Sequence, residues 1–318
     1  MKTFRGLESP EIQHPTVLTL GVFDGLHLGH QKIMQTVVER ARATSSSATV
    51  ITFDPHPRAV LHPETAPPLL QTLDQKLEGM EQLGIDQVII LEFNRQLASY
   101  SAEDFLTEVV YKNLQPREVY IGKGFAFGRS REGNIDTLIK LGQRLGFRAE
   151  EVPEVKLRKH RVSSTMIRRL LRAGRVNLAR RMLGRPYGVE GTVLEGRKIG
   201  KRLSYPTANL LIKNSVIPAN GVYVTLTMID NIWHRSVTNI GTRPTFGDEQ
   251  QTWIETHVID FDREIYGQQI RVQFLHRLRG EKRFPDSAAL QEQIGRDYRR
   301  AVIYFQRLKV QANLVYGT

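Results

Sequence analysis

The sequence predicts an α/β domain followed by a small antiparallel β-barrel with a terminal helix. Three observations carry that expectation. Residues 16–152 alternate strand-like and helix-like segments with short connections, the pattern of a parallel sheet covered on both faces. After Arg185-Pro186, short strand-like runs follow one another, with Gly, Pro, Asn or Asp in several of the gaps. At 318 residues the chain is long enough to bury two cores. The pattern changes near residues 182–187, which divides the chain into domains 1–184 and 185–318.

In the first domain the expected strands are Thr16–Gly21, Ala48–Phe53, Asp86–Phe93, Glu118–Gly122 and Phe147–Val152. Between the first two, Ile33, Met34, Val37, Val38 and Ala41 recur at helical spacing. Ser101-Ala102-Glu103-Asp104 opens a second helix with a capping-box-like pattern, its apolar face led by Phe105, Leu106, Val109 and Val110. A third helix is expected from Ile135 to Leu145, stopping at Gly146. In the second domain the runs Tyr187–Leu194, Ala208–Ile212, Gly221–Ile229, Trp233–Ile240, Thr252–Asp260 and Gln269–His276 suggest a small barrel, closed by a helix from about Asp286 to Ala312.

Composition narrows the function classes. The chain has no cysteine, which excludes disulfides, thiolate nucleophiles and cysteine metal sites. No run approaches a membrane span, and the first residues carry no apolar signal core, so a cytoplasmic protein with no membrane partner is expected. The net charge of +12 is concentrated: eleven Lys and Arg, and no acidic residue, lie between Glu154 and Glu190. Such a block can track a nucleic-acid backbone, serve a polyphosphate substrate or form a solvated helical face. The neighbouring motifs favour the polyphosphate, so a nucleic-acid partner is not expected.

The most informative segment is Gly21-Val22-Phe23-Asp24-Gly25-Leu26-His27-Leu28-Gly29-His30, between a β-branched run and a helix. In an open α/β sheet such a loop lies at the carboxyl ends of the strands, where ligands bind. The following helix favours an anion there, and imidazoles can stabilise charge on a reacting phosphoryl group. Metal ligation by His27 and His30 is compatible with the spacing, although no third ligand stands nearby. In Arg161-Val162-Ser163-Ser164-Thr165-Met166-Ile167-Arg168, a serine can cap a helix whose N–H groups, hydroxyls and Arg168 could bind a triphosphate. Phe53-Asp54-Pro55-His56-Pro57-Arg58 ends the second strand and alone could be a rigid turn.

These elements together resemble the bifunctional riboflavin kinase/FAD synthetase family of bacteria, in order and spacing, from about residue 16 to residue 300. The resemblance implies a Rossmann-like nucleotidyltransferase domain that adenylylates FMN with ATP, followed by a riboflavin-kinase barrel. It implies that His27 and His30 act on the ATP phosphates, that Gly21, Phe23 and Asp24 form the ATP loop, and that Ser164, Thr165 and Arg168 hold the leaving phosphates. Phe53, His56, Arg58, Phe125 and Arg279 become flavin-binding candidates. In the second domain, Leu203-Ser204-Tyr205-Pro206-Thr207-Ala208-Asn209-Leu210, Thr238–Phe246, Trp253–His257 and Leu278–Phe284 match the kinase half. Thr207 and Asn209 are then the ATP and Mg²⁺ residues, both hard oxygen donors, and Glu255 the general base.

The implied substrates are riboflavin, FMN, FAD and ATP, with Mg²⁺ as cofactor; the sequence leaves oligomeric state open. Two positions depart from the family pattern. Gly124, in Gly122-Lys123-Gly124-Phe125-Ala126-Phe127-Gly128, stands where the family usually carries Asp or Asn, and Ser204 stands where Gly is common. The first gives the alternative reading, a riboflavin kinase whose adenylyl transfer is weakened or redirected. A different adenylyltransferase would explain His27 and His30 but not the second domain's motifs.

Overall fold

The computed structural model describes residues 1–195, 205–244 and 250–308. It divides into two compact units, Met1–Ser164 and Thr165–Thr318.

The first unit is a six-stranded sheet of β1 (Lys2–Arg5), β2 (Thr16–Leu20), β3 (Ser47–Phe53), β4 (Gln87–Leu91), β5 (Pro116–Gly122) and β6 (Arg148–Val152). Its order is β1-β4-β3-β2-β5-β6, and every pair is parallel. Both faces are buried, which explains why β2 and β4 are apolar or β-branched almost throughout. Val17, Val50, Val88 and Tyr120 share a core with Ile33, Met34 and Val37 of α1 (Leu28–Ala43) and Met80. Leu18, Ile51, Ile89 and Val119 face the opposite core, with Phe105, Leu106, Leu138 and Leu141. The period of two along the strands thus places helices on both sides. The expected strands form with ends shifted by a few residues. Added to them is the edge strand β1, whose Lys-Thr-Phe-Arg sequence carries no apolar run.

Residues 102–114 are helical as expected, with Phe105–Tyr111 wound as a π-helix. Ser101 Oγ accepts the Asp104 N–H at 3.0 Å, the cap that the sequence indicated. A hairpin of β7 (Lys156–Leu157) and β8 (His160–Arg161) completes the unit.

The second unit begins with helices Ser164–Arg172, entered at its first residue from the preceding unit, and Val176–Leu183. They join the barrel through specific contacts: Ala219 N–H donates to Leu171 O at 3.0 Å, and a Cβ at Gly174 would lie 2.7 Å from Arg277 Nη1. The compact division therefore precedes the change of sequence pattern near residue 185, because this helical pair packs on the barrel. The barrel is closed in the order β10 (Ala208–Ile212), β13 (Gln250–Val258), β12 (Ile232–Pro244), β11 (Gly221–Ile229), β14 (Gln269–Arg279), β9 (Tyr187–Leu194). Its lumen mixes Tyr223, Ile254 and Phe274 with a buried hydroxyl cluster of Thr225, Thr227, Ser236, Thr238 and Thr256, bonded to one another at 2.7–3.4 Å. The outer face of β11 packs under helix Ser287–Arg307, through Val222, Val224, Leu226, Ala301 and Phe305. The expected continuation of that helix to Ala312 lies outside the described residues from 309 on.

In the first unit, Arg40 of α1 grips Glu118 of β5 with two hydrogen bonds, 2.9 and 2.6 Å, and Tyr120 Oη donates to the same carboxylate at 2.7 Å. The Arg40 hydrogen bond holds the Glu118 carboxyl below its ordinary value of 4.5. A carboxylate with a lowered folded-state value stabilises the fold fully above its unfolded value, and the contribution is lost as pH falls through the folded one. Glu118→Gln should therefore lower the melting temperature at neutral pH, with the gap to wild type closing as pH drops below 4.5. Calorimetry across that range measures it, and a gap independent of pH would refute the assignment.

Candidate active sites

In the first unit the strand order reverses between β2 and β5, because the chain runs outward from β2 through β3 to β4 and then returns to place β5 on the other side of β2. The crevice at such a switch point is where open α/β sheets bind ligands. The loops after β2, β3 and β5 all lie at this edge, and they carry the three segments that the sequence singled out.

The loop after β2 is buried from Gly21 to His27 apart from the half-buried Val22. Phe23 and Leu26 pack into the core, and the loop turns through positive φ at Phe23 (52°), Gly25 (85°) and Leu26 (41°). A side chain at Gly25 would also meet Leu70 Cδ1 at 2.6 Å. Asp24 is a brace: its Oδ1 accepts the Leu70 N–H at 2.9 Å, and its main-chain oxygen accepts the Ser164 hydroxyl at 2.9 Å. Gln31 Nε2 donates to Leu26 O at 2.7 Å. Phe23 and Asp24, read from sequence as ATP-loop residues, thus hold the loop's shape.

His27 is the N-cap of α1, its Nδ1 accepting the His30 N–H at 3.3 Å, which places the proton of a neutral ring on Nε2. The two imidazoles stack with centroids 3.6 Å apart, and Phe23 meets His30 edge-on at 5.3 Å. Two ring edges therefore stand side by side at a helix start, where the first N–H groups have no intrahelical acceptor and the dipole favours an anion. Among the described residues no group of three or more His, Asp or Glu could hold a metal ion.

After β3, Phe53 is half-buried against Phe93 at 5.7 Å. His56 caps the short helix α2 (Pro57–Leu61) by accepting the Arg58 N–H at 3.0 Å, and exposed Arg58 donates to Thr65 Oγ1 at 2.9 Å. After β5, Phe125 is half-buried and stacks on Phe127 at 6.0 Å. Gly124 is exposed at φ 73°, with nothing within 4 Å of an added Cβ. That region is the one Asn and Asp enter most readily among residues with side chains, so glycine there and the family's usual Asn or Asp suit the same backbone. Thr165 and Arg168 belong to the second unit; Thr165 is exposed and Arg168 buried.

In the barrel, Ile254, Thr256 and Val258 are buried, so alternation puts Glu255 on the outer face of β13. Cross-strand register sets Glu255 opposite Asn209 of β10 on one side and Asn239 of β12 on the other. Glu255 is half-buried and Asn209 buried. Thr207, two residues before Asn209, is half-buried just ahead of β10. His257 shares the Glu255 face; its Nδ1 lies 2.8 Å from Pro206 O, and its ring meets Tyr205 and Tyr298 at 5.5 and 5.9 Å. Gly241 leaves room for Glu281, whose Oε1 would lie 3.0 Å from an added Cβ and whose Oε2 accepts from Asn220 Nδ2 at 3.1 Å. Arg279, a flavin candidate by sequence, commits its Nε to Asp297 Oδ2 at 2.8 Å and stacks over Phe284 at 5.6 Å. It anchors the terminal helix in this arrangement. Ser204, Thr245 and Phe246 of the quoted motifs lie outside the described residues.

Sequence reasoning did not single out Lys76 or Asp297. Lys76 sits on α3 (Leu73–Gln82) beneath the loop after β2 and is buried there. A lone lysine among apolar helix positions gives no local signal, since its stem ordinarily lies along apolar surface with the ammonium in water.

Comparison with known proteins matches both halves of the chain. Residues 9–166 match the FAD synthetase family model and residues 183–305 the riboflavin kinase model. A bifunctional riboflavin kinase/FMN adenylyltransferase of Pseudomonas fluorescens is 38% identical over 298 residues, 93% of this chain and 96% of that protein. Proteins of the same name from Bacillus subtilis (strain 168) and Escherichia coli (strain K12) are 34% and 33% identical, covering 94% and 96% of this chain and 95% and 98% of theirs. A crystal structure described as a macrolide-efflux protein from Streptococcus pneumoniae shares the fold over 95% of this chain and 99% of its own, with TM-score 0.86 and 28% identity. That description is of the other protein; here no described helix is long and apolar enough to cross a membrane.

The class so defined is a two-domain transferase, a nucleotidyltransferase and a kinase on one chain. The chain belongs to the bifunctional riboflavin kinase/FMN adenylyltransferase family.

A Cβ at Gly29 would stand 3.1 Å from His27 Cε1 and 3.2 Å from its Nδ1. Gly29→Ala should push the ring off its cap, costing about 1 kcal/mol, the worth of an N-cap, and should move both imidazole resonances in proton NMR. Unmoved resonances would show that the loop absorbs the methyl.

Proposed function

We propose that this chain makes FMN from riboflavin at the outer face of the barrel and FAD from FMN at the edge of the α/β sheet, each with Mg-ATP. The observation that carries the reading is that each domain groups its family's motif residues in the geometry the chemistry needs: stacked histidines at a helix start, and Glu255 between two asparagines.

At the sheet, an FMN phosphate oxygen attacks the α-phosphorus of ATP; the new P–O bond forms as the bond to the pyrophosphate oxygen breaks. No enzyme nucleophile is needed, so positioning and electrostatics carry the step. The edges of His27 and His30 and the first N–H groups of α1 receive the charge that builds on the phosphoryl oxygens. The Ser164 hydroxyl proton is engaged by Asp24 O, which leaves its main-chain N–H as a donor for phosphate; the family motif gives Thr165 and Arg168 the leaving phosphates as well. Gly21 keeps the backbone close to the nucleotide, and Phe53, His56, Arg58 and Phe125 line the flavin side.

At the barrel, Glu255 accepts the proton of the terminal ribityl hydroxyl as that oxygen attacks the γ-phosphorus and ADP departs. The Asn209 and Asn239 side chains, opposite it in register, orient the carboxylate and the phosphates. Thr207 and the Asn209 amide oxygen are hard donors next to that carboxylate. They suit Mg²⁺, which takes few protein ligands and fills its shell with phosphates and water. When bound, the ion supplies charge neutralisation on the phosphates. A soluble cytoplasmic enzyme is the setting this reading implies.

Glu255→Ala should lower FMN formation at least about 100-fold, the usual worth of a general base, while FMN-to-FAD conversion persists. Chromatography of riboflavin or FMN incubated with Mg-ATP measures both. Unchanged riboflavin phosphorylation would overturn the role of Glu255, and absence of either product from wild type would overturn the corresponding half of the reading.

A further inference from the structure

Lys76 is 8% exposed, and burial is the leading influence on its amine, lowering its pKa below the ordinary 10.5. Its position on α3 lies one turn before Met80, on a face that otherwise meets the core through Leu73, Leu77 and Met80. An apolar side chain would fill such a place without the cost of desolvating an ammonium. What the ammonium does instead is specific. Nζ donates to Thr52 Oγ1 at 3.0 Å and to Val22 O at 3.4 Å, and Thr52 Oγ1 itself donates to Val22 O at 3.3 Å. Three elements meet there: α3, the end of β3 and the first turn of the loop that carries Phe23, Asp24, His27 and His30. Two of the three ammonium hydrogens are used by these bonds. The charged groups facing it are the carboxylates of Asp24 and Asp54, one on the loop after β2 and one on the loop after β3.

We propose that Lys76 is a positioning residue of adenylyl transfer: it fixes the main chain at Val22 and supplies the cation that lets a polyphosphate settle beside Asp24 and Asp54. This rests on the reading of the first unit as the FMN adenylyltransferase. Without the ammonium, two carboxylates would confront the triphosphate from two neighbouring loops, and the Val22 carbonyl would lose its donor from α3. The ATP affinity of this site therefore depends on the charge of one buried side chain that touches no substrate.

The test compares wild type, Lys76→Met, and Lys76→Cys alkylated with 2-bromoethylamine. The chain has no cysteine of its own, so the alkylation rebuilds an amine at one position only, with a lower intrinsic pKa because of the sulfur. In wild type, kcat/KM for ATP in FAD formation should fall on the alkaline side as Lys76 loses its proton, earlier than an ordinary lysine would. Lys76→Met should lower that kcat/KM about tenfold or more, chiefly through KM, and remove the alkaline fall. Riboflavin phosphorylation in the same preparation should stay within about twofold. The alkylated variant should recover FAD formation with its alkaline fall moved to lower pH.

A Lys76→Met enzyme within about twofold of wild type in FAD formation would overturn the proposal. If Lys76→Met fails to fold, the alkylated variant decides: a shifted fall supports the proposal, and an unshifted one makes the lysine merely structural. Wild type that forms FMN but no FAD would instead remove the underlying reading.

Discussion

The first unit depends on one constraint, a buried strand-to-helix loop that must hold a strained backbone without any regular hydrogen-bond ladder. Non-glycine residues at φ 52° and 41° are costly, and they persist only where surrounding contacts over-determine them. Here the ties come from every side: Leu70 N–H on the Asp24 carboxylate, Ser164 on the Asp24 carbonyl, Gln31 on the Leu26 carbonyl, and Thr52 and Lys76 on the Val22 carbonyl. Phe23 and Leu26 convert the loop's apolar residues into core. The result is that His27 begins α1 as its cap, with His30 stacked beside it, before any ligand arrives. Pre-organisation of this kind is what an electrostatic mechanism requires, since donors that must reorient at the moment of reaction lose most of their effect.

The barrel meets the same requirement by other means. Its polar residues are sorted between two faces by the alternation of the strands. The lumen takes hydroxyls that satisfy one another, Thr225 through Thr256. The outer face takes Asn209, Glu255 and Asn239 in one row across three strands. A shift of one residue in either pairing would send Glu255 into the lumen and Thr256 outward, so register is the device that positions the Glu255 carboxylate. Helix Ser287–Arg307 covers the apolar part of this outer surface, and the Arg279–Asp297 ion pair, 13% and 4% exposed, joins it to the end of β14.

Much of this was legible in the sequence. The parallel strands read clearly because they are buried on both faces and almost purely apolar or β-branched, and the barrel strands because turn residues punctuate them. The stacked histidines were recognisable because spacing and flanking elements together locate them at a strand-to-helix turn. Other features depend on tertiary contacts with no local counterpart. β1 is a polar edge strand made stable by pairing with β4. Asp24 and Phe23 read as ATP-loop residues; that the Asp24 carboxylate also accepts the Leu70 N–H, 46 residues away, has no local signal. Arg279 sits in a motif, but its commitment to Asp297 depends on how the terminal helix packs. The compact division after Ser164 follows from the docking of two helices on the barrel, which no composition change marks.

The concentrated positive charge has a similar resolution. As a run of eleven cations it suggests a surface for a nucleic-acid backbone, which requires them in one solvated row. Several of them have partners within their own unit. Lys156 and Arg161 lie 3.1 and 3.3 Å from Glu154 at the β7–β8 hairpin, and Arg161 also donates to Lys123 O. Arg168 is buried, and Arg185 donates to Leu183 O at 3.3 Å. Arg169 and Arg172 fall in the last turn of one helix, and Arg180 and Arg181 in the last turn of the next. Cations there complement the negative end of the helix dipole and bond the terminal carbonyls. Eight of the eleven cations thus have a place in local structure: Lys156 and Arg161 at the hairpin, Arg168 in the interior, Arg185 on a main-chain carbonyl, and Arg169, Arg172, Arg180 and Arg181 at two helix ends.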